Sequence, residues 1–240
     1  MIGVINPFKV NWTPADLGSS LAAWYDAADE DTITEASGLV SQWDDKSGNA
    51  RHMTQGTAAN QPTTGSRQLN GLNVLDCDGG DFMAHAGFPI TDFSLSVFVV
   101  AELDAIDNAL DAVFSTAATK DFGLEAYNAS QFDGAVHCEG ASNPQYTPLS
   151  GGPFPGPSIY NALVTTTGLR IQAYVDGTIR ADVGYVGGIS TSVTLRLFAD
   201  RTAAASPDGA LAEVVVVSKA TTEERQLIEG YLAWKWSSAA

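Results

Sequence analysis

A chain of 240 residues, 45% of them hydrophobic, suits one large all-β domain or two small ones and can bury a sizeable core. Its 28 Asp and Glu against 12 Lys and Arg give a formal charge of −16, which argues against nucleic acid and against an anionic membrane surface as partners. Two cysteines, Cys77 and Cys138, do not make a disulfide framework in a chain this long, and two buried thiols fit better than one bridge.

The first nine residues lack a charged stretch followed by an apolar one, so no signal peptide is expected. No run approaches the roughly 18 apolar residues of a membrane helix. Synthesis in a cytoplasm is the expectation. Residues 1–18 read as an arm distinct from a domain at 19–240, because Pro7, Pro14 and the absence of a period argue against a regular element. Apolar side chains in such an arm either lie along their own domain or dock on a partner. Ile5, Pro7, Phe8 and Trp12 are the attachment candidates.

Leu21 to Asp26 opens the domain as a strand, followed by Asp26, Asp29 and Asp31 in a loop. Val40 to Trp43 is a short strand, residues 44–49 a turn, and residues 50–72 a polar irregular stretch ending in the hairpin dipeptide Asn70-Gly71. Asn73 to Asp78 is a strand closed by Gly79 and Gly80, and the next begins at Asp81. Phe93 to Ala101 becomes continuously apolar, as a strand covered on both faces should. Strands follow at 112–115 and 122–127, then a long loop at 139–158 rich in Gly, Pro, Ser and Asn. Three strands, 159–166, 169–175 and 178–183, are joined by the tight turns Thr167-Gly168 and Asp176-Gly177. Val193 to Phe198 and Leu211 to Val217 complete the strands. Thr221 and Glu224 form a capping box, and Leu227, Ile228, Tyr231, Leu232, Trp234 and Trp236 recur at helical spacing behind it. The pattern has no βαβ rhythm. It predicts an all-β, two-sheet antiparallel jelly-roll sandwich with a C-terminal α-helix.

Several segments taken in order resemble a known family. They are Leu21-x-x-Trp-Tyr-Asp26, Val40-Ser-Gln-Trp-x-Asp-Lys-Ser-Gly-Asn49, Gln61-Pro62, Asn70-Gly71 with Asp78-Gly79, Ala173-Tyr-Val-Asp-Gly177, and the tail from Ala212 to Tyr231-Leu-Ala-Trp-Lys-Trp236. Together they are similar to the concanavalin A-like lectin/glucanase superfamily, in its laminin G-like jelly-roll branch. Domains of this look are typical of bacterial surface proteins and bacteriophage virion proteins. The resemblance and the missing signal imply a non-enzymatic structural protein of a tailed-phage virion, as a capsid decoration or a head or tail spike, with weak glycan or host-surface adhesion. The implied partners are capsid or tail proteins and sister subunits. One alternative is a receptor-binding tail-fibre lectin, and a second is a glycan hydrolase.

Candidate chemistry is sparse. Glu102-Leu-Asp-Ala-Ile-Asp107 is similar to the Glu-x-Asp-x-x-Glu strand of glucanases, where alternate carboxylates converge on one sugar bond. Asp107 is a methylene short for the acid role, and the branch resembled generally has no such site, so no catalytic residue is assigned. Asp76, Asp78 and Asp81, or Asp26, Asp29 and Asp31, offer oxygens of the kind calcium takes, but turn aspartates are the expected role and no cofactor is assigned. His52, His85 and His137 are scattered and give no zinc spacing. Trp24, Trp43, Trp234 and Trp236 read as core. Tyr146, Phe154 and Tyr160, in or beside the long loop, are the candidates for a sugar platform.

Overall fold

A computed structural model describes residues 12–90, 94–105, 111–117, 122–125, 135–140, 143–149, 156–165, 170–184, 190–204, 206–218 and 220–236. Seventeen strands lie among these residues. They are β1 (Leu21–Asp26), β2 (Ile33–Ala36), β3 (Leu39–Trp43), β4 (Met53–Thr54), β5 (Thr63–Leu69), β6 (Leu72–Asp78), β7 (Met83–Pro89), β8 (Leu95–Ala105) and β9 (Ala112–Ala117) in the first half. The second half carries β10 (Phe122–Glu125), β11 (Ala135–Gly140), β12 (Asn143–Pro148), β13 (Ser158–Thr165), β14 (Arg170–Val175), β15 (Thr178–Gly184), β16 (Ser192–Leu197) and β17 (Asp208–Val217). One helix, α1 (Thr222–Trp236), closes the chain.

The valine run places β17 at the centre. Every residue of it after Asp208 is buried. One edge pairs along its length with β8, setting Val214 opposite Val99 and Val216 opposite Val97. The other edge is shared. β6 pairs with its first half, with Leu75 opposite Leu211, and β1 with its second, with Trp24 opposite Val215. The first and the last of the seventeen strands are therefore neighbours. Beyond β8 run β13, β14 and β15 as an antiparallel meander, and β9 to β12 form another. β16 lies between β7 and β9.

All of these pairings are antiparallel, and they run through the strands as one curled sheet. The all-β class and the closing helix match the sequence reading. The hydrogen bonds do not divide the strands into two separate sheets, since β17 joins β1, β6 and β8 and β16 bridges β7 and β9. Three more strands lie where the sequence suggested loop, β4 and β5 within 50–72 and β12 within 139–158, and β11 (Ala135–Gly140) runs into the start of that last stretch. β4 is only two residues long, β5 is polar with a glycine inside it, and β12 carries Pro144 and Pro148, so no two-residue alternation announces them.

Strand alternation explains the two cores. On β8, Val97, Val99 and Ala101 face an inner cluster with Leu75, Phe88, Phe114, Tyr160 and Leu211. Phe98 and Val100 face outward and meet Trp24, Val74, Ala212 and Val215 beneath α1. Ile228, Tyr231, Leu232 and Trp236 are the helix residues that cover them. At about 2 kcal/mol for each large apolar side chain buried, this packing outweighs the helix's own propensity, since 15 residues are marginal as an isolated helix. The capping box forms as the sequence predicts. Glu224 N donates to Thr221 Oγ1 at 3.1 Å and Thr221 N donates to Glu224 Oε2 at 2.8 Å.

Glu213 is the polar exception in the valine strand and is fully buried under α1. Trp24 Nε1 donates to its Oε1 at 2.7 Å, while Trp236 Nε1 and Lys235 Nζ donate to its Oε2 at 2.6 and 2.7 Å. Lys235 reaches Asp26 at 2.5 Å, and Lys46 reaches the same carboxylate at 3.0 Å. One buried charge network thus ties β1, β17, the 44–49 turn and the helix together. Of the four tryptophans read as core, Trp24, Trp43 and Trp236 are buried, but Trp234 is 68% exposed. Its position places it on the solvent side of a helix whose other face already meets the sheet.

Candidate functional site

The outer face of the sheet has two halves. Under α1 it is apolar. Past the helix, the same strand faces continue as carboxylates. Asp76 and Asp78 follow Val74 on β6, Glu102 and Asp104 follow Val100 on β8, and Asp208 precedes Ala210 on β17. The two-residue period of each strand puts them on one side, while Cys77, between two of them, is buried in the inner core. Register brings the strands together: Asp208 pairs with Asp78 on one edge of β17 and with Ala105 on the other.

Gly209 makes the close approach possible. Its φ is +155°, and a Cβ there would stand 2.2 Å from the Glu102 carbonyl oxygen. Only glycine lets β17 come this near to β8.

Arg67 of β5 is the cation set against these groups. Its guanidinium donates to Asp76 Oδ1 at 3.2 Å, to Glu102 Oε2 at 2.7 Å, and to both oxygens of Asp104, one of them at 2.9 Å. The three carboxylates raise the Arg67 pKa, with Asp104 the strongest contributor. Beside this cluster an open cleft of about 260 Å³ is lined by Gln61, Thr63, Asp76, Asp78, Asp81 and Asp208 among others. Asp81 is 5% exposed and accepts the Asp78 N–H at 3.2 Å. Burial, with the charges of Asp78 and Asp76, pushes its pKa up to about 6. Burial also raises Asp208, helped by the Asp104 and Asp76 charges. The Cys77 thiol is lifted well above its ordinary value by burial, so it is no nucleophile. The arrangement offers carboxylate acceptors, one of which keeps its proton to about pH 6.

The structure thus joins two stretches that the sequence presented separately, the Glu102 strand and the Asp76–Asp81 turn. Arg67 and Asp208 carried no signal in the sequence, because only the sheet pairing makes them neighbours. Asp107 lies outside the described residues. Among the described residues, no group of three or more His, Cys, Asp or Glu side chains is arranged to hold a metal ion. Of the calcium candidates, Asp76 takes Arg67, while Asp26 and Asp29 take Lys46 at 3.0 and 2.6 Å.

The remaining candidates separate. Tyr160 is fully buried in the inner core, so its ring has no face to offer a sugar; its place in β13 turns it inward between β8 and β14. Tyr146 lies in β12, and Phe154 lies outside the described residues, as do Ile5, Pro7 and Phe8. Trp12 packs edge-on against Tyr231 of α1, with ring centroids 5.8 Å apart. Cys77 is a free buried thiol.

No protein-family model matches the chain, and no curated protein matches it in sequence. Its fold is similar to solved structures. An arabinofuranosidase complexed with arabinofuranosyl-α-1,2-xylobiose matches with a TM-score of 0.69 at 12% identity, over 95% of this chain and 66% of that one. Domain 4 of a GH43 extracellular arabinanase from Geobacillus stearothermophilus, in complex with arabinotriose, matches at 0.62 and 11% identity, over 88% of this chain and 98% of that domain. Trypanosoma rangeli sialidase matches at 0.60 and 13% identity, over 92% of this chain. The chain spans about a third of the sialidase's length (34%). At these identities the likeness establishes the fold. It also corrects the expectation of a non-enzymatic virion structural protein. These neighbours are glycoside hydrolases or a domain of one, and they lend the phage assignment no support.

Proposed function

We propose that this chain is a glycan-active protein of concanavalin A-like fold, and that the acidic cleft beside Arg67 holds an oligosaccharide. The observation that carries the reading is the convergence of Asp76, Asp78, Asp81 and Asp208 on one open cleft. Carboxylates accept hydrogen bonds from sugar hydroxyls, and the Arg67 clamp fixes Asp76, Glu102 and Asp104 in advance. Domain 4 of the arabinanase, nearly all of which this chain matches, holds arabinotriose, and that supports the ligand class.

One observation favours a second reading, cleavage of the bound glycan. Asp81 keeps its proton to about pH 6 while other carboxylates stand near it. Glycoside hydrolysis needs such a pair: an acid to protonate the departing oxygen and a carboxylate to activate water or attack the sugar carbon. Asp81 is the proton donor in this reading.

Calorimetric titration with arabinotriose, xylobiose and cello- and galacto-oligosaccharides tests recognition, and a reducing-sugar assay tests cleavage. The expected result is saturable binding to one of them that Asp208→Asn weakens. Asp81→Asn should abolish turnover while binding persists. The absence of any heat at millimolar concentrations across the panel overturns the recognition reading, and turnover undiminished in Asp81→Asn overturns the cleavage reading.

A further inference from the structure

The charge network under α1 brings together three groups that can react with one another. Asp26 ends β1, and Glu213 stands directly opposite it on β17, so their side chains project from paired positions of neighbouring strands. Lys235, in the last turn of α1, reaches both. Its Nζ lies 2.5 Å from Asp26 Oδ1 and 2.7 Å from Glu213 Oε2. The side chains of Lys235, Asp26 and Glu213 are 13%, 7% and 0% exposed. The rings of Trp236 and Tyr231 stand 4.9 and 5.8 Å from Nζ and screen it from water.

An amine, a carboxyl carbon and a second carboxylate in mutual contact are the parts that amide formation needs. In water the step stalls, because an ammonium is no nucleophile and a carboxylate is a poor electrophile. Burial disfavours both charges and so favours the neutral amine and the neutral acid. Burial, and then the Asp26 charge, raise the Glu213 pKa against the pull of Lys235, which makes Glu213 a stronger base than an ordinary carboxylate. Fixed contact replaces a chance encounter, an effect equivalent to about 10⁵–10⁸ M in well-oriented pairs. Lys46 has a different part, with its Nζ 3.0 Å from Asp26 Oδ2. Burial works against its charge, but the bonds to Asp29 and Asp26 carry its pKa above the ordinary value, so it stays a cation. A fixed cation there stabilises negative charge as it develops on Oδ2.

We propose that Lys235 and Asp26 condense into an intramolecular amide, with Glu213 as the proton carrier. The ion pair is the state before reaction. The ammonium first passes one proton to Asp26 Oδ1, leaving a neutral amine beside a neutral acid. Nζ then attacks Cγ, and negative charge gathers on Oδ2 against Lys46. Glu213 Oε2 takes a proton from the attacking nitrogen and hands it to the Oδ1 hydroxyl, which leaves as water. One N–C bond has replaced one C–O bond, the C=O bond has re-formed, and Glu213 ends as it began. The balance needs no oxidant and no second reactant. The amide ties β1 to α1 across 209 positions of sequence, so it restricts the unfolded chain as a cross-link of long span does. It stands apart from the glycan reading and shares no residue with the acidic cleft.

Intact-mass spectrometry of the whole folded chain, followed over days and joined to a tryptic map, tests it. The wild-type chain should lose the mass of one water molecule. Its digest should contain a branched peptide joining residues 10–46 to residues 226–240, with the branch at Asp26 and Lys235. Lys235→Arg keeps a cation beside Asp26 and should stay at full mass. Glu213→Gln should link more slowly by about a hundredfold or more, the worth of a positioned acid–base group. The wild-type map decides the matter without a variant, should either substitution unfold the chain. A wild-type chain that stays at full mass overturns the proposal. So does a lost water that maps to an unbranched peptide, the mark of a cyclic imide at a pair such as Asp176-Gly177, or one that persists in Lys235→Arg. Linkage at the wild-type rate in Glu213→Gln overturns the role given to Glu213.

Discussion

Glu213→Ala is the most informative single substitution for the fold. It removes the acceptor of three donors at once: the indole N–H groups of Trp24 and Trp236 and the Lys235 ammonium. Each orphaned buried donor costs about 1–3 kcal/mol, and breaking a buried ion pair by removing one member costs about 3–5 kcal/mol. The terms overlap because one carboxylate serves all three donors and Lys235 keeps Asp26. A loss of about 4 kcal/mol follows, which for a domain of this size lowers the melting temperature by about 8–16 °C. Glu213→Gln keeps the shape and one acceptor oxygen and should cost about half as much. Equilibrium urea unfolding, followed by tryptophan fluorescence and circular dichroism, reads both. A cost below about 1 kcal/mol for Glu213→Ala would refute the argument.

Lys235→Met probes the same network through pH. Burial raises the Glu213 pKa above its usual 4.5, the neighbouring Asp26 charge adds to this, and Lys235 holds it back. Without Lys235 the rise is larger. A carboxyl whose folded pKa exceeds its unfolded one contributes stability fully below the unfolded value and loses it as pH climbs through the folded one. The Lys235→Met protein should therefore lose stability, relative to wild type, as pH rises above about 4.5, and a pH-independent difference would contradict this.

Three further outcomes follow from single sites. Asp81 has its pKa raised from 3.8 to about 6, so wild-type stability should fall across that interval relative to Asp81→Asn; parallel urea midpoints for the two proteins between those pH values would refute the assignment. Gly209→Ala forces a Cβ to within 2.2 Å of the Glu102 carbonyl at a φ of +155° and should cost about 3 kcal/mol or more in a thermal melt. Thr221→Ala removes the Oγ1 acceptor of the Glu224 N–H and should cost about 1 kcal/mol, read as a lower urea midpoint at unchanged slope.

What could be read in advance depended on whether the signal was local. The capping box at Thr221 and Glu224, the valine strand and the helical spacing behind it are local patterns, and each appears where the text places it. Trp234 was misread because apolar identity says nothing about which side of a helix already has a partner. β12 escaped notice because Asn and Pro are turn formers, and only its pairing with β11 holds them extended. The candidate site was half legible. Glu102 and the Asp76–Asp81 turn drew attention as separate segments, each weak alone. What unites them is β17, whose Asp208 pairs toward both. Arg67 sits in a polar stretch with no period, so nothing local marked it as the group on which Asp76, Glu102 and Asp104 converge.

The physical cost of that convergence bears on function. On the outer face, residues under α1 are apolar and mutually supporting, with Phe98, Val100, Ala212 and Val215 stabilising the sheet through burial. One or two residues farther along the same strands the text changes to acids. Arg67 answers Asp76, Glu102 and Asp104, and the remaining excess falls on Asp78, Asp81 and Asp208. Like charges in so small a space raise one another's pKa, which is the origin of part of the Asp81 and Asp208 shifts, and each shift records free energy lost from the folded state when the group ionises. A stability-only sequence would place lysines or neutral side chains there, as a solvent-exposed strand end allows. A local rule broken at one place, with only backbone N–H groups and the distant Arg67 charge set against Asp78, Asp81 and Asp208, is what supports reading the place as a binding site. Sugar hydroxyls are suited to this because they donate to several carboxylates at once without a matching charge. With its pKa raised to about 6, Asp81 can both donate and accept below that pH, which suits a hydroxyl-rich ligand.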